Sequence, residues 1–467
     1  MPEYGVKTSL YGRKAIYSDV DKITRENVVS VLDKAKSAHK DNVTQIDYLW
    51  DMYRGKQDIR NRTKEVRSDI INKICENRAY QIVTFEVGYL IGKPISYVTP
   101  IESETNAVNL LNSFMQQENK AAEDQRLVMW QKICGTAYRL VLQKEKNEPG
   151  ESPFEITTVE PRNAFVIYSA KIGHKPLGGV YTYKNDKNKD VYCIYTSDAY
   201  FEVVGKEIVR SEANALGLIP LIEYPANEAR LGSIEIVAPL LDEINLLDSD
   251  RMDSVEQFVQ ALLVFINCQP PEGETSATLA EKGIIALPSS GNNKADLKMI
   301  AEQLDQTQTQ ILKKDIYQSI LEIVGMPSIS DGGTSDSSNN GAVILKNGWQ
   351  NAEAKAEASE NVFKASERET LRVVLRICRD LSDIGEITLS NLEVYFPRQN
   401  YGDLQAKAQV LTMLLGNDKV HPEIAYEICR LFRDPATAYT KGMEWYSSEK
   451  EAIEKTLSED DGEDDDV

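Results

Sequence analysis

Apolar residues recur at helical spacing along the first part of the chain. Residues 19–39 set Val28, Val31, Leu32 and Ala35 in a charged background. Residues 63–92 carry the stripe on through Val66, Ile70, Ile74, Ile82, Phe85, Val87 and Leu90 until Gly92 and Pro94 stop it. Each run predicts a helix. Between them, Tyr48-Leu49-Trp50-Asp51-Met52-Tyr53-Arg54-Gly55 reads as an aromatic core anchor that ends in a turn. Residues 104–118 and 121–135 predict two more helices. From about residue 137 the period becomes two. Tyr138, Leu140 and Leu142 alternate with polar neighbours. Short aromatic and β-branched runs follow at 154–159, 164–168, 179–184, 191–196, 199–204 and 207–210, punctuated by Gly, Asn and Asp. That is the pattern of an antiparallel meander, and residues 217–225 close it in extended form.

The second half returns to helices. Val237, Leu240, Leu241, Ile244, Leu247, Val255 and Phe258 stripe a helix over 233–258. Asp242, Glu243, Asp248, Asp250 and Asp253 fill much of its remainder, a face expected to be solvated. A β-rich insert follows, with runs at 261–266 and 283–287 around Pro270-Pro271, and then a helix over 303–324 marked by Leu312, Ile316, Ile320 and Val324. Helix, insert, helix predicts a stalk with a small module at its tip. Residues 326–341 are rich in Gly, Ser and Asn and predict a mobile loop. A helix over 342–381 would span about 60 Å at 1.5 Å per residue. Its Ala352, Ala354, Ala356 and Ala358 would admit a neighbouring backbone, making a subunit contact, although helix propensity explains them equally well. Strands at 387–389 and 392–396 and helices at 403–415, 421–432 and 435–457 complete an α+β chain. Residues 458–467 are acidic and expected to be disordered.

Composition narrows the function. The chain has 467 residues, enough for two to four structural units, with 53 Lys plus Arg against 73 Asp plus Glu, a net charge of -20. Tight binding of nucleic acid needs a local cationic surface, so the acidity argues against a protein that grips it, but not against one that lets it slide past. No apolar run reaches the roughly 20 residues of a membrane span. The opening Met1–Lys7 has no apolar core, so no signal peptide is expected. Six dispersed cysteines without a CxxC pair predict reduced, mostly buried thiols. His39, His174 and His421 have no second His or Cys at ligand spacing, and the phosphate-loop, nucleophile-elbow, zinc-protease and dinucleotide motifs are all missing. Neither enzymatic activity nor a cofactor or metal is expected. A nuclease using paired carboxylates remains formally open.

Several stretches, taken in order, carry a family resemblance. Tyr53-Arg54-Gly55 is followed by Asn72-Lys73-Ile74 and by Ile82-Val83-Thr84-Phe85-Glu86-Val87-Gly88-Tyr89-Leu90-Ile91-Gly92-Lys93-Pro94-Ile95. Ile219-Pro220-Leu221-Ile222-Glu223-Tyr224 with Asn227 precedes Leu240-Leu241-Asp242-Glu243-Ile244-Asn245 and Ser249-Asp250. Gly341-Ala342-Val343-Ile344-Leu345-Lys346 enters the long helix. Over about residues 25–450 this resembles the portal proteins of tailed bacteriophages, in the siphophage branch of Gram-positive hosts.

The resemblance implies a portal fold with helical wing and crown, an antiparallel β wing sheet, a two-helix stem and a small α/β clip. Copies would close into a ring of about twelve at one capsid vertex of the virion, assembled in the host cytoplasm. Double-stranded DNA would be packaged and ejected through it, weakly bound. The boundaries carried over are wing 1–230, stem 231–258 and 303–325, clip 259–302, tunnel loop 326–341, long wing helix and strands 342–398, crown 399–457 and acidic tail 458–467. In the tunnel loop, Ser328, Ser330, Asp331, Gly332, Gly333, Thr334, Ser335, Ser338, Asn339 and Asn340 would face DNA. Lys313, Lys314, Lys346, Lys294 and Lys298 are candidate channel cations, and Pro270, Pro271, Glu272 and Glu274 candidate clip docking residues. Implied partners are terminase, head-completion or adaptor proteins, and major capsid and scaffolding proteins, with no membrane. The rival is another head–tail connector or minor capsid protein.

Overall fold

The computed structural model describes residues 10–65, 68–145, 148, 150–259, 262–266, 284–287, 296–300, 306–327, 348–382, 384, 387–398, 404–429, 431–432 and 435–460. They fall into two compact units, residues 1–328 with 351–396, and residues 329–350 with 397–467.

In the first unit, α1 (Val28–Tyr53) buries Val28, Val31, Leu32, Ala35, His39, Asn42, Ile46, Leu49 and Met52, an unbroken row at three- and four-residue steps. The predicted helix over 19–39 thus starts later, because the Asn27 side chain accepts the Thr24 amide ahead of the first turn. It also runs through the aromatic cluster, where Trp50 stacks on Trp130 at 4.6 Å. The chain turns only at Gly55, whose φ is +78°. Among the described residues of the predicted helix over 63–92, only α2 (Arg78–Ile91) is helical, and residues 71–77 have no regular secondary structure. Helices α3 (Thr105–Gln117) and α4 (Lys120–Cys134) follow. Gly135, at φ +78°, turns α4 directly into a strand, and a Cβ there would lie 1.9 Å from the Arg230 carbonyl oxygen, so only glycine fits.

The predicted meander divides into two sheets. Strands β3 (Thr136–Gln143) and β4 (Phe154–Val159) join β10 (Leu221–Pro225) in an antiparallel sheet ordered β10-β3-β4. Strands β5 (Ala164–Ser169), β6 (Pro176–Lys184), β7 (Asp190–Tyr195), β8 (Ala199–Val204) and β9 (Glu207–Ala213) form the meander proper. Strand β1 (Ile16–Ser18) adds in parallel beside β5. The first turns of α1 cover one face, packing Val28, Val31 and Leu32 against Phe165, Ile167, Val180, Ile194, Phe201 and Val203. Strand β2 (Ser96–Val98) pairs with β14 (Glu393–Tyr395), and residues 389–391, expected to lie in or beside a strand, form a 3-10 turn.

Helix α5 (Ser233–Val259) leads into a sheet ordered β12-β11-β13, with β11 (Leu262–Ile266) parallel to β12 (Ile284–Leu287) and antiparallel to β13 (Asp296–Ile300). The third strand had no counterpart in the sequence reading. Helix α6 (Thr307–Val324) returns alongside α5, and α7 (Trp349–Leu381) is the long helix. In the second unit, α8 (Leu404–Leu415), α9 (Pro422–Cys429) and α10 (Pro435–Asp460) pack around Leu411, Ala425 and Cys429.

A buried charge cluster joins α7 to the rest of the first unit. Lys120 lies 2.7 Å from Asp124 and 3.0 Å from Glu367, and Arg139 lies 2.5 Å from Asp124 and 3.3 Å from Glu367. Tyr224 donates to Glu367 at 2.6 Å, and Tyr97 donates to the same carboxylate. The two cations balance the two anions, and their side chains are at most 4% exposed. Burial alone pushes the Glu367 carboxyl up, but Lys120 and Arg139, helped by the two hydroxyls, outweigh it and hold it at about 2. We expect Glu367→Gln to cost about 3–5 kcal/mol, since it strands buried cations, as read by urea unfolding at pH 7. A carboxyl depressed on folding stabilises above its unfolded value. The wild-type advantage should therefore fade as pH drops from 4.5 towards about 2.

Candidate functional site

Helices α5 and α6 form an antiparallel pair, and residues 57–77 brace its outer side. Along the brace, alternate backbone amides meet side chains four residues apart on α5. Asn72 N–H donates to Asp253 Oδ1 at 2.6 Å, Ile74 N–H to Ser249 Oγ at 3.0 Å and Glu76 N–H to Asn245 Oδ1 at 2.8 Å. The periods match, because two extended residues advance about 6.6 Å and four helical residues about 6.0 Å. This match explains why 71–77 is not helical despite its apolar spacing. The α5 row satisfies those amides, and Ile70 is still buried.

Charge closes both ends of the brace. Arg62 and Lys64 reach Asp253 Oδ2 at 3.1 and 2.5 Å, and Arg62 also pairs with Asp250. Burial pushes the Asp253 carboxyl up, but Lys64 and the Asn72 amides bring it below its usual range. At the other end Asn245 Nδ2 donates to Gln57 Oε1 at 2.5 Å. Lys313 of α6 bridges Asp248 at 2.8 Å and Glu76 at 2.9 Å, tying both helices to the brace. Arg78 packs over the Tyr317 ring at 4.3 Å, and Arg251 donates to Gln310 at 2.7 Å. The acidic side of α5, expected to be solvated, is so only in part: Asp253 is buried and Asp242 and Asp248 are half-buried, whereas Glu243 and Asp250 are exposed. One group fits badly. Asp242 Oδ2 is buried without a hydrogen-bond partner, and burial, with Asp58 and Glu243 nearby, pushes its carboxyl up to about 7.

The far end of α6 is held from α7. Gly325, at φ +65°, ends the helix, and Lys355 Nζ donates at 2.7 Å both to the Val324 carbonyl and to Glu86. Glu86 also accepts from Ser233 at the start of α5 and faces Lys132 at 3.5 Å. Both helices of the pair are thus fixed at their body ends, while their other ends carry the three-stranded insert.

With this geometry in view, the family becomes clear. The model of the family "Phage portal protein, SPP1 Gp6-like" matches residues 32–465. The chain belongs to this phage portal family. No curated protein sequence matches it significantly. Two solved structures resemble the fold weakly. They are titled "Neck of empty GTA particle computed with C6 symmetry" (TM-score 0.41, 12% identity, covering 76% of this chain and 90% of that one) and "Neck of native GTA particle computed with C12 symmetry" (TM-score 0.39, 12% identity, 75% and 88%).

In this portal-family chain the expected site residues are scattered. Lys313 is consumed by two ion pairs, whereas Lys314 on the next position is exposed. Ala352 and Ala356 are buried within the chain, and Ala354 and Ala358 are on the exposed side of α7. Lys298 lies in β13, in register with Val264. The loop residues Ser328, Ser330, Asp331, Gly332, Gly333, Thr334, Ser335, Ser338, Asn339 and Asn340 lie outside the described residues, as do Lys294, Lys346, Pro270, Pro271, Glu272 and Glu274. His39 stacks on Phe165 at 4.7 Å and meets the Arg162 carbonyl. Among the described residues no cluster of His, Cys, Asp or Glu is placed to hold a metal, and no helix is long and apolar enough to cross a membrane.

The sequence reading named Asn245, Ser249 and Asp253 separately but missed that they form one row on α5. The available signal was a four-residue row of short hydrogen-bonding side chains, not charge as such. Ser249→Ala strands the Ile74 amide, and we expect a loss of about 1–3 kcal/mol together with faster hydrogen exchange over residues 72–76. Asp242→Asn should stabilise the chain. A carboxyl raised on folding penalises the native state increasingly between pH 3.8 and about 7, so the gain should be absent at low pH and complete above 7.

Proposed function

We propose that this chain is the subunit of a ring at the phage capsid vertex, of the siphophage Gram-positive branch, through which double-stranded DNA enters and leaves the head. In this reading α5 and α6 are the stem and the sheet β12-β11-β13 is the clip. Residues 326–341 are the tunnel loop and the helices after residue 399 the crown. One observation carries the reading, the order helix, three-stranded insert, helix and long helix inside a chain matched to the portal family over residues 32–465.

Exposed apolar side chains on both stem helices support closure by like copies. Ile236, Met252 and Val255 on α5 and Ile311, Leu312 and Ile323 on α6 each show more than a third of their surface to solvent, which is costly in an isolated chain. The second unit adds Met413, Ile428 and Trp445. The role is geometric. An acidic wall repels the duplex and keeps it from sticking, while exposed Lys314 supplies one weak phosphate contact per copy. The packaging ATPase is a separate terminase that docks on the clip, with head-completion proteins taking its place afterwards.

We expect native mass measurement and negative-stain top views to show closed rings with a central hole. Ile311→Asp with Leu312→Asp should release subunits with far-ultraviolet circular dichroism unchanged, because neither side chain belongs to the core. A wild-type chain that stays monomeric under all assembly conditions would sink the reading. Gly332→Pro with Gly333→Pro should leave rings intact and impair DNA filling of heads.

A further inference from the structure

The last turns of α7 reverse the charge of the chain. Arg368, Arg372, Arg376 and Arg379 follow one another at steps of four, four and three along one face, all exposed, in a protein of net charge -20. Beside them lies a groove of 430 Å³ whose floor includes Leu218, Leu375 and Ile387 and whose rim is Arg372, Arg376 and Arg379. Two of the guanidinium groups touch acidic neighbours. Arg372 pairs with Glu369, and Arg376 lies 3.7 Å from Asp380. All four of those side chains are about half exposed, and such pairs are worth about 0–1 kcal/mol, so a better-placed carboxylate can displace them. Arg379 makes no ion pair among the described residues.

We propose that this groove docks an extended acidic peptide segment of a partner protein. Guanidinium groups at four-residue helical steps repeat at about 6.0 Å, and alternate side chains of an extended strand repeat at about 6.8 Å. Carboxylates at alternate positions can therefore meet successive arginines in the forked geometry that arginine favours. The apolar floor takes an aliphatic side chain of the same segment. A nucleic acid duplex is the competing polyanion, but it offers no aliphatic group to fill the groove and is too stiff to follow its floor.

The test uses the full-length assembled protein and a short fluorescein-labelled peptide with Glu at alternate positions and one central leucine, read by anisotropy. Saturable binding is expected, weakened about tenfold or more by Arg372→Glu with Arg376→Glu and Arg379→Glu. The corresponding triple Gln variant should give an intermediate loss, which guards against misfolding of the charge-reversed protein. Replacing the peptide leucine by serine should also weaken binding. Equal binding by wild type and both triple variants overturns the proposal. So does a duplex oligonucleotide that displaces the peptide in an arginine-dependent way. Binding that emerges only after deletion of residues 458–467 assigns the groove to the chain's own acidic end and overturns the partner assignment.

Discussion

The long helix α7 is held by charge buried where water cannot reach it. Lys120, Asp124, Arg139 and Glu367 form a neutral set, and taking any one away leaves an unpaired ion in a low-dielectric interior, which costs far more than the set contributes as a whole. Such a cluster adds little stability over an apolar plug of the same volume. It specifies position. Glu367 accepts from Tyr97 on β2 and Tyr224 on β10 while facing α4 and β3, so a slide of α7 by one turn would break every contact together. A second fixing point, Lys355, lies about 18 Å away along the helix at 1.5 Å per residue. Through Glu86 and the Val324 carbonyl it binds α7 to the body ends of α5 and α6.

The helix pair is therefore clamped by ions at one end and laced by hydrogen bonds along its side. The two kinds of attachment differ in how they yield. Apolar packing tolerates gradual shifts, whereas a ladder of amides on Asn245, Ser249 and Asp253 is either in register or lost. The misfit at Asp242 sits beside Asn245, where the brace leaves α1. Burying a carboxylate without a partner there subtracts from stability.

Much of the fold was legible because periodicity reports burial. Helices α3 and α4, the strands from β3 to β10, and the order α5, insert, α6 follow from spacing alone. What failed did so for identifiable reasons. Strands β1 and β2 span three residues each, too few to display a period of two. Val66, Ile70 and Ile74 stand at helical spacing, but the conformation of residues 72–76 is decided by hydrogen-bonding partners some 175 residues away. The aromatic cluster at 48–53 was correctly read as a core anchor ending in a turn at Arg54-Gly55, but not as the last turns of one continuous α1. In the candidate site, charge was visible and its pairing was not. Lys313 and Lys314 are equivalent in sequence, and only the fold separates a bridging lysine from an exposed one.

That distinction decides what surface the molecule presents. Arg13, Arg62, Lys120, Lys132, Arg139 and Arg230 are all spent on carboxylates inside the first unit, with side chains at most 18% exposed. Such pairing adds nothing to the net charge, so the chain's -20 is carried by its other groups. Among the described residues, the end of α7 is one place where exposed arginines gather against that background. The fold spends these six cations as internal fasteners, and the chain's net negative charge is carried by the remaining groups.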